Sequence, residues 1–495
     1  MAPLVHAEID GSDILFRDSF ASSSAQTNFT PYDRVSKETD QPLHDESLLS
    51  ELAAKMAEWP TRWGKYRFNA NGIPAAYTYL GQLIAHDLTY YDPPAPAFPV
   101  RYRSAYLDFT SVFARDADLS ACPSVCEGGG LALGRTTTNR QNDLPRSRCG
   151  EPILTDKRND QNLTLSQLVV LITKFYQVMT ADRADVAEAH LVARRHMQWI
   201  VLYDYLPRVI DPVVYRDVIQ SRAWPLLGEG AGLIPVEFAA ASFRLGHAMV
   251  RYRYPYWRRG GSGAGLEDLL HFTDHSTASR LVKVQGEARL PDDWAAGWSF
   301  LLPSDCNDPR ISLSAAIDEN LALDMFSLPD SIGDCMMSAP RPTGTRHGTF
   351  NLAEHTLVRG NRLRIDSAQS LSAGAHTRLK EAGAAPLPRR LPALRVAQTR
   401  SPTLSDFLMS DTAAPLRNET PLWFYFLREA DVHASGQHFG PLASRITMET
   451  VYRAIWNDPD SILRNDFTPD FTDTNGKFGL KDLHAVVQKH WKPET

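Results

Sequence analysis

Tyr77-Thr-Tyr-Leu-Gly-Gln-Leu-Ile-Ala-His-Asp-Leu-Thr-Tyr-Tyr91 is apolar and aromatic except for Gln82, His86 and Asp87 and two threonines. Gln82 and His86 are four apart, so on a helix they share a face, while Asp87 points elsewhere. One face thus offers an amide and an imidazole, and the neighbouring residue offers a hard carboxylate oxygen. That set suits a helix with a redox or acid/base cavity on one side and a cation site on the other. A lone histidine on an apolar helix is more often a satisfied core residue, so the reading depends on what else the chain carries.

Four later segments hold further chemistry-bearing residues. They are Arg103-Ser-Ala-Tyr-Leu-Asp-Phe-Thr-Ser-Val-Phe113, Asp156-Lys-Arg-Asn-Asp-Gln-Asn-Leu163, Phe243-Arg-Leu-Gly-His247 and Leu357-Val-Arg-Gly-Asn361. Gly-Gln-Leu-Ile-Ala-His-Asp-Leu-Thr resembles the distal-histidine motif of the animal-type haem peroxidase (peroxidase–cyclooxygenase) superfamily, and the four segments resemble that family in the same order. Thr420-Pro-Leu-Trp-Phe-Tyr-Phe-Leu-Arg428 resembles the C-terminal part of its bacterial members. The resemblance runs from about residue 65 to residue 490.

The resemblance implies roles. His86 becomes the distal base that moves a proton between the oxygens of hydrogen peroxide. Gln82 would hold water or a small anion above the iron. Arg158 becomes the distal cation that stabilises developing negative charge. His247 becomes the axial ligand of a haem iron, with Arg244, Thr356 and Arg359 around the cofactor. Covalently linked members carry an Asp just before the distal His and a Glu three residues after the distal Arg. Here those positions are Ala85 and Gln161, and Asn162 stands where some members place a Met. Haem b is therefore expected to be held non-covalently. Thr356 stands where the family usually has an Asn that bonds the proximal imidazole; its hydroxyl, His355 or a water could substitute.

The 104–110 segment resembles the family's calcium loop. Asp87, Ser104, Tyr106 (through its carbonyl), Asp108 and Thr110 would be the ligands, and such an all-oxygen set suits Ca²⁺. An alternating half-buried strand is the plainer reading of the same residues. Asp473-Thr-Asn-Gly476 is not an EF-hand, because Phe471 falls at the first ligand position.

The elements that must position these groups read as helices. Helical patterns cover 47–58, 74–88, 163–180, 185–220 and 235–251. Within the fourth, Pro207 is the expected stop. Residues 92–160, 255–300 and 330–350 read as irregular, and alternating strand patterns are scarce. The expected fold class is mainly α, a large single-domain animal-haem-peroxidase-like helical fold with long loops and little β. Residues 1–45, with the run Ala21-Ser-Ser-Ser-Ala25, read as an extended arm, and 46–495 as the catalytic domain. No internal repeat is found.

Composition is that of an ordinary globular protein, 43% hydrophobic and 22% charged over 495 residues. The net charge of −6 gives no reason to expect nucleic-acid binding. The basic cluster Arg251-Tyr-Arg-Tyr-Pro-Tyr-Trp-Arg-Arg259 is assigned a structural or haem-propionate role. No apolar run reaches a membrane-spanning length. The N-terminus shows no basic n-region or apolar h-region, so a cytoplasmic location is expected. Cys122, Cys126 and Cys149 are read as free thiols rather than as zinc ligands.

The functional expectation is a peroxidase-type oxidoreductase that oxidises a small organic substrate through a ferryl intermediate. The alternatives are a specialised biosynthetic haem oxidase (hydroxylation, coupling or halogenation) and a fatty-acid dioxygenase-like enzyme. The dioxygenase branch places a radical-forming Tyr where Arg244 stands. A haem carrier would not need both His86 and Arg158. Tyr79, Tyr90, Tyr91 and Tyr176 could line a pocket, with core packing the default for each.

Overall fold

The computed structural model describes residues 33–36, 39–40, 42–58, 72–89, 106–113, 131–181, 183, 185–228, 234–273, 279–302, 310–329, 349–472 and 476–493. Among them ten α-helices have ten or more residues: α1 Glu46–Ala57, α2 Ala76–Leu88, α3 Leu163–Ala181, α4 Val186–Ile200, α5 Pro212–Ser221, α6 Leu352–Arg362, α7 Ala368–Glu381, α8 Leu422–Ala434, α9 Pro441–Asn457 and α10 Leu480–His490. Extended structure in the described residues forms three two-stranded antiparallel pairs: β1 Arg253–Tyr254 with β2 Ala264–Gly265, β3 Val282–Val284 with β4 Glu287–Arg289, and β5 Leu328–Pro329 with β6 Thr349–Phe350. The mainly helical expectation is met.

α2 and α3 form the inner layer. Leu80, Leu83 and Ile84 of α2 are fully buried, and so are Leu163, Leu165, Leu168, Ile172 and Phe175 of α3. Burying each such side chain contributes roughly 1.5–3 kcal/mol. α3 is buried around nearly its whole circumference, Ser166, Gln167 and Lys174 included, as a core helix is. It is the one described helix long and apolar enough to cross a membrane, and 83% of that window is buried inside the fold.

Two helical stretches depart from the regular pitch that their patterns suggest. Pro207 does not end the 185–220 stretch. After α4 the chain widens into a π turn, Val201–Tyr205, and runs on as Leu206–Val209 with Pro207 in its first turn, where a missing N–H costs little. The break comes at Ile210, whose backbone is extended, and Asp211 then caps α5 by accepting from Val213 N and Val214 N. The 235–251 stretch is likewise a π turn, Phe238–Ser242, followed by a 3₁₀ helix, Phe243–Met249.

The chain before α1 straps onto that second stretch. Asp33 bridges Pro235, and the buried Glu237 carboxylate accepts Val35 N and Ser36 N, both at 2.9 Å. The 238–249 segment is therefore held from its N-terminal side. Ala21–Ala25 and the rest of the first 32 residues lie outside the described residues.

Candidate functional site

α2 lays Thr78, Gln82, Ala85 and His86, with Thr89 at its C-cap, along one wall of a cavity of about 170 Å³. The 3₁₀ segment supplies Phe243, Arg244, Gly246 and His247 to the same cavity. Side chains three apart eclipse on a 3₁₀ helix, which puts Arg244 and His247 one above the other. Arg158, Gln161 and Asn162 close the cavity from a third element, and Arg359 of α6 joins them. Six residues that the sequence spread over nearly 280 positions thus converge: Gln82, His86, Arg158, Arg244, His247 and Arg359.

His86 is buried, and its Nδ1 lies 2.9 Å from Asn159 Oδ1. Gln82 is held by two amides: its Nε2 donates to Gln161 Oε1 at 3.0 Å, and its Oε1 accepts from Asn162 Nδ2 at 2.9 Å. Ala85 and Gln161, which the sequence resemblance puts where ester anchors would stand, both line the cavity.

Arg158 is more engaged than a freely placed cation would be. It sits in a short 3₁₀ turn, Lys157–Asp160, capped by Asp156. Its Nε and Nη2 both donate to the Asp156 carboxylate, and Nη2 also reaches His86 O at 2.8 Å and Thr89 O at 3.0 Å. The guanidinium therefore caps the C-terminus of the helix that carries His86 while it lines the cavity.

His247 Nδ1 is buried with no hydrogen-bond partner among the described residues. Burial first, then the charges of Arg244 and His86, lower its pKa to about 3, so the imidazole stays neutral and able to ligate a metal. Thr356 does not serve it. The Thr356 hydroxyl donates to Leu352 O at 2.8 Å and accepts from Arg244 Nη1 at 3.2 Å. Burial, then the neighbouring charge of Arg359, pushes the Arg244 pKa well below the usual arginine value. Arg244 and Arg359 thus bring two guanidiniums close together in the cavity wall.

A haem fits these residues. A neutral imidazole and two guanidiniums line the cavity, and a Cβ on Gly246 would meet nothing within 4 Å. Gly246 thus leaves open space instead of relieving a clash in the protein.

The proposed cation loop lies beside α2. Asp87 Oδ2 accepts Phe109 N at 2.7 Å, and Oδ1 accepts Ser111 N at 3.0 Å. Phe109 takes a φ of 55° to present these amides, a costly conformation for a bulky residue. Asp108 is buried and accepts Thr110 N at 3.1 Å. Tyr106 begins the described part of the loop, and Ser104 lies outside the described residues. Among the described residues no three His, Cys, Asp or Glu side chains cluster as a metal site.

Several other sequence expectations now have places. Tyr79 lines the cavity and bonds Tyr254 at 2.8 Å between hydroxyls. Tyr176 packs edge-on against His190 in the core and is not in the cavity wall, and Tyr90 and Tyr91 lie outside the described residues. The basic cluster is structural where its contacts are seen: Arg251 donates to Leu313 O, and Arg258 stacks on Trp294 at 3.5 Å. Cys149 is exposed and free, whereas Cys122, Cys126 and residues 473–475 lie outside the described residues.

Sequence reasoning missed Asn159, Asp156, Tyr205 and the buried pair Arg146–Asp160. Arg146 grips both Asp160 oxygens, at 2.7 and 2.9 Å, and so pins the turn that carries Arg158. The Asp-x-Arg spacing of Asp156 and Arg158 was a usable local signal. The other contacts span 14 residues or more, as with Arg146–Asp160, and left no local pattern.

No family model and no curated protein sequence matches this chain. Its fold is found in solved enzymes. Peroxidase A from Dictyostelium discoideum superposes with a TM-score of 0.53 at 13% identity, over 94% of this chain and 93% of that one. The fatty acid alpha-dioxygenase of Oryza sativa gives 0.58 at 13% identity over 98% and 84%, and that of Arabidopsis thaliana gives 0.54 at 12% over 98% and 83%. At such identities the likeness is one of fold. The fold expected from the ordered motifs is the fold found.

Proposed function

We propose that this chain is a haem-dependent oxidoreductase that uses hydrogen peroxide to oxidise a small organic molecule. The observation that carries the reading is that His86 and His247, from two different helices, share one cavity with Arg158, Arg244 and Arg359. His247 would hold haem b as its axial ligand, and Arg244 and Arg359 would pair with the propionates. When bound, haem would supply redox-active iron for cleavage of the peroxide bond. His86 takes the proton from the incoming peroxide and returns it to the departing oxygen. Arg158 places positive charge where negative charge develops, and at the same time fixes the end of the His86 helix. Haem loading followed by absorption spectroscopy with and without peroxide tests this reading. A protein that takes up no haem, or whose haem spectrum is indifferent to peroxide, refutes it.

A second reading, an oxidase or dioxygenase acting on one apolar metabolite, is supported by the fold of the fatty acid alpha-dioxygenases. Leu266, Leu270, Met325 and Leu328 give the cavity an apolar flank that suits such a substrate. Arg244, at the position of the dioxygenase tyrosine, argues against the fatty-acid form. Product analysis with peroxide or O₂ as oxidant separates the two readings.

Calcium is part of the proposal. Asp87 and Asp108 are buried carboxylates joined through the Phe109 turn, and a bound cation would offset their charge. Asp108→Ala should then lower both calcium content and melting temperature. Parent protein that contains no calcium and loses no stability to a chelator contradicts this part.

A further inference from the structure

The Asn159 amide is fully buried and makes two contacts that together fix the state of His86. Its Nδ2 donates to the main-chain oxygen of Ser111 at 2.9 Å. A carbonyl only accepts, so the orientation of the amide is settled: NH₂ faces Ser111 and Oδ1 faces His86. Oδ1 also only accepts, so at the 2.9 Å contact His86 Nδ1 must carry the hydrogen. The Nε2 of the neutral imidazole is then the nitrogen with the lone pair, as a base acting on peroxide requires.

Ser111 closes the arrangement. Its N–H donates to Asp87 Oδ1 while its carbonyl accepts from Asn159, and Asp87 is the chain neighbour of His86. His86, Asp87, Ser111 and Asn159 thus form a ring of contacts through three separate segments, two of its four members being adjacent in sequence. Asn159 itself is fixed by its turn: its N–H donates to Asp156 O at 3.0 Å, and Asp160 beside it is held by Arg146. The acceptor is therefore placed by a rigid element, which is what orienting a ring requires.

We infer that Asn159 is a positioning residue for His86, holding the imidazole as the Nδ1–H tautomer so that Nε2 serves as the proton acceptor. This rests on the peroxidase reading for its function, but the tautomer itself does not. Two variants separate the roles of the amide. Asn159→Asp keeps an acceptor toward His86 and loses the donor toward Ser111. Asn159→Leu has a similar shape and loses both.

The first measurement is ¹⁵N-histidine NMR of the chain before haem is added, with the His86 signals identified by their absence in His86→Gln. His86 should show a protonated Nδ1 in the parent and in Asn159→Asp, and lose that preference in Asn159→Leu. The second measurement is cyanide association with the ferric haem protein, which needs a distal base to take the proton from HCN but needs no turnover. Asn159→Leu should slow it at least about tenfold, a part of the ~10²–10⁴-fold that a positioned base contributes, because the base is misoriented and not removed. Asn159→Asp should stay within a few-fold of the parent. A parent with an Nε2–H tautomer, or an Asn159→Leu variant with parental cyanide kinetics, overturns the assignment. So does an equal loss in both variants, because that would place the whole effect in the Ser111 contact. If the parent failed to react with peroxide yet these results held, the peroxidase reading would fall and the positioning role would stand.

Discussion

Arg158 donates through Nη2 to the main-chain oxygen of His86 at 2.8 Å while the same nitrogen pairs with Asp156 at 2.8 Å. One guanidinium therefore ties the end of the helix that carries His86 to a buried carboxylate. Arg158→Leu should do two kinds of damage. It should cost up to about 3–5 kcal/mol of stability, because the buried Asp156 carboxylate loses its guanidinium and keeps the backbone N–H of residue 158. It should also slow the reaction with peroxide by ~10²–10³-fold, as loss of such a donor does elsewhere. Adding Asp156→Asn should restore most of the melting temperature and none of the peroxide rate. Parental peroxide kinetics in the double variant would remove Arg158 from the chemistry and leave it only a structural role.

The two histidines should separate cleanly. His247→Ala should lose most of the haem, whereas His86→Ala should bind haem and react slowly with peroxide. A reversed pair of phenotypes, read by absorption spectra and stopped-flow mixing, would exchange the proximal and distal assignments. In the parent all haem should leave on acid–organic extraction, because Ala85 and Gln161 supply no carboxylate. Haem retained on the polypeptide in denaturing mass spectrometry would contradict that.

Features decided by neighbours in the chain were legible in the sequence, and those decided across the fold were not. Gln82 and His86 share a face because they are one helical turn apart, and both reach the cavity. Arg244 and His247, three apart, share a wall as helical spacing suggests, although the segment that carries them is a 3₁₀ helix. Pro207 looked like a terminator because proline removes an N–H, but the preceding π turn absorbs it. The Thr356 hydroxyl was open to several partners in the sequence; packing brings it Arg244 instead of His247. Asn159 and His86 are 73 positions apart, so nothing local linked them.

Gly81, next to Gln82, should not tolerate a larger residue. A Cβ there would lie 2.5 Å from the Tyr205 hydroxyl oxygen. Helix propensity alone would reward Gly81→Ala by about 1 kcal/mol, but overpacking costs roughly 1–3 kcal/mol. The single variant should thus be neutral or destabilised in chemical denaturation. Combining it with Tyr205→Phe removes the clashing atom, leaving a nearest contact of 3.3 Å to the ring. The pair should be more stable than Gly81→Ala alone, and a purely additive pair would show that the two residues do not meet.

Glu429 of α8 gives stability a dependence on pH. It is buried and accepts Leu442 N and Ala443 N at 3.1 to 3.2 Å, at the start of α9. Burial outweighs those amides and raises its pKa from 4.5 to about 8. The folded state therefore holds this proton more tightly than the unfolded chain does. Its contribution is complete below the unfolded value of 4.5 and is lost as pH rises through about 8. Other groups shape the whole curve, so the informative quantity is the difference between parent and Glu429→Gln. The amide cannot ionise and still accepts from α9. Relative to Glu429→Gln, the parent should lose melting temperature steadily from pH 5 to pH 9. A difference that stays constant over that range would show that Glu429 titrates alike in the folded and unfolded chains.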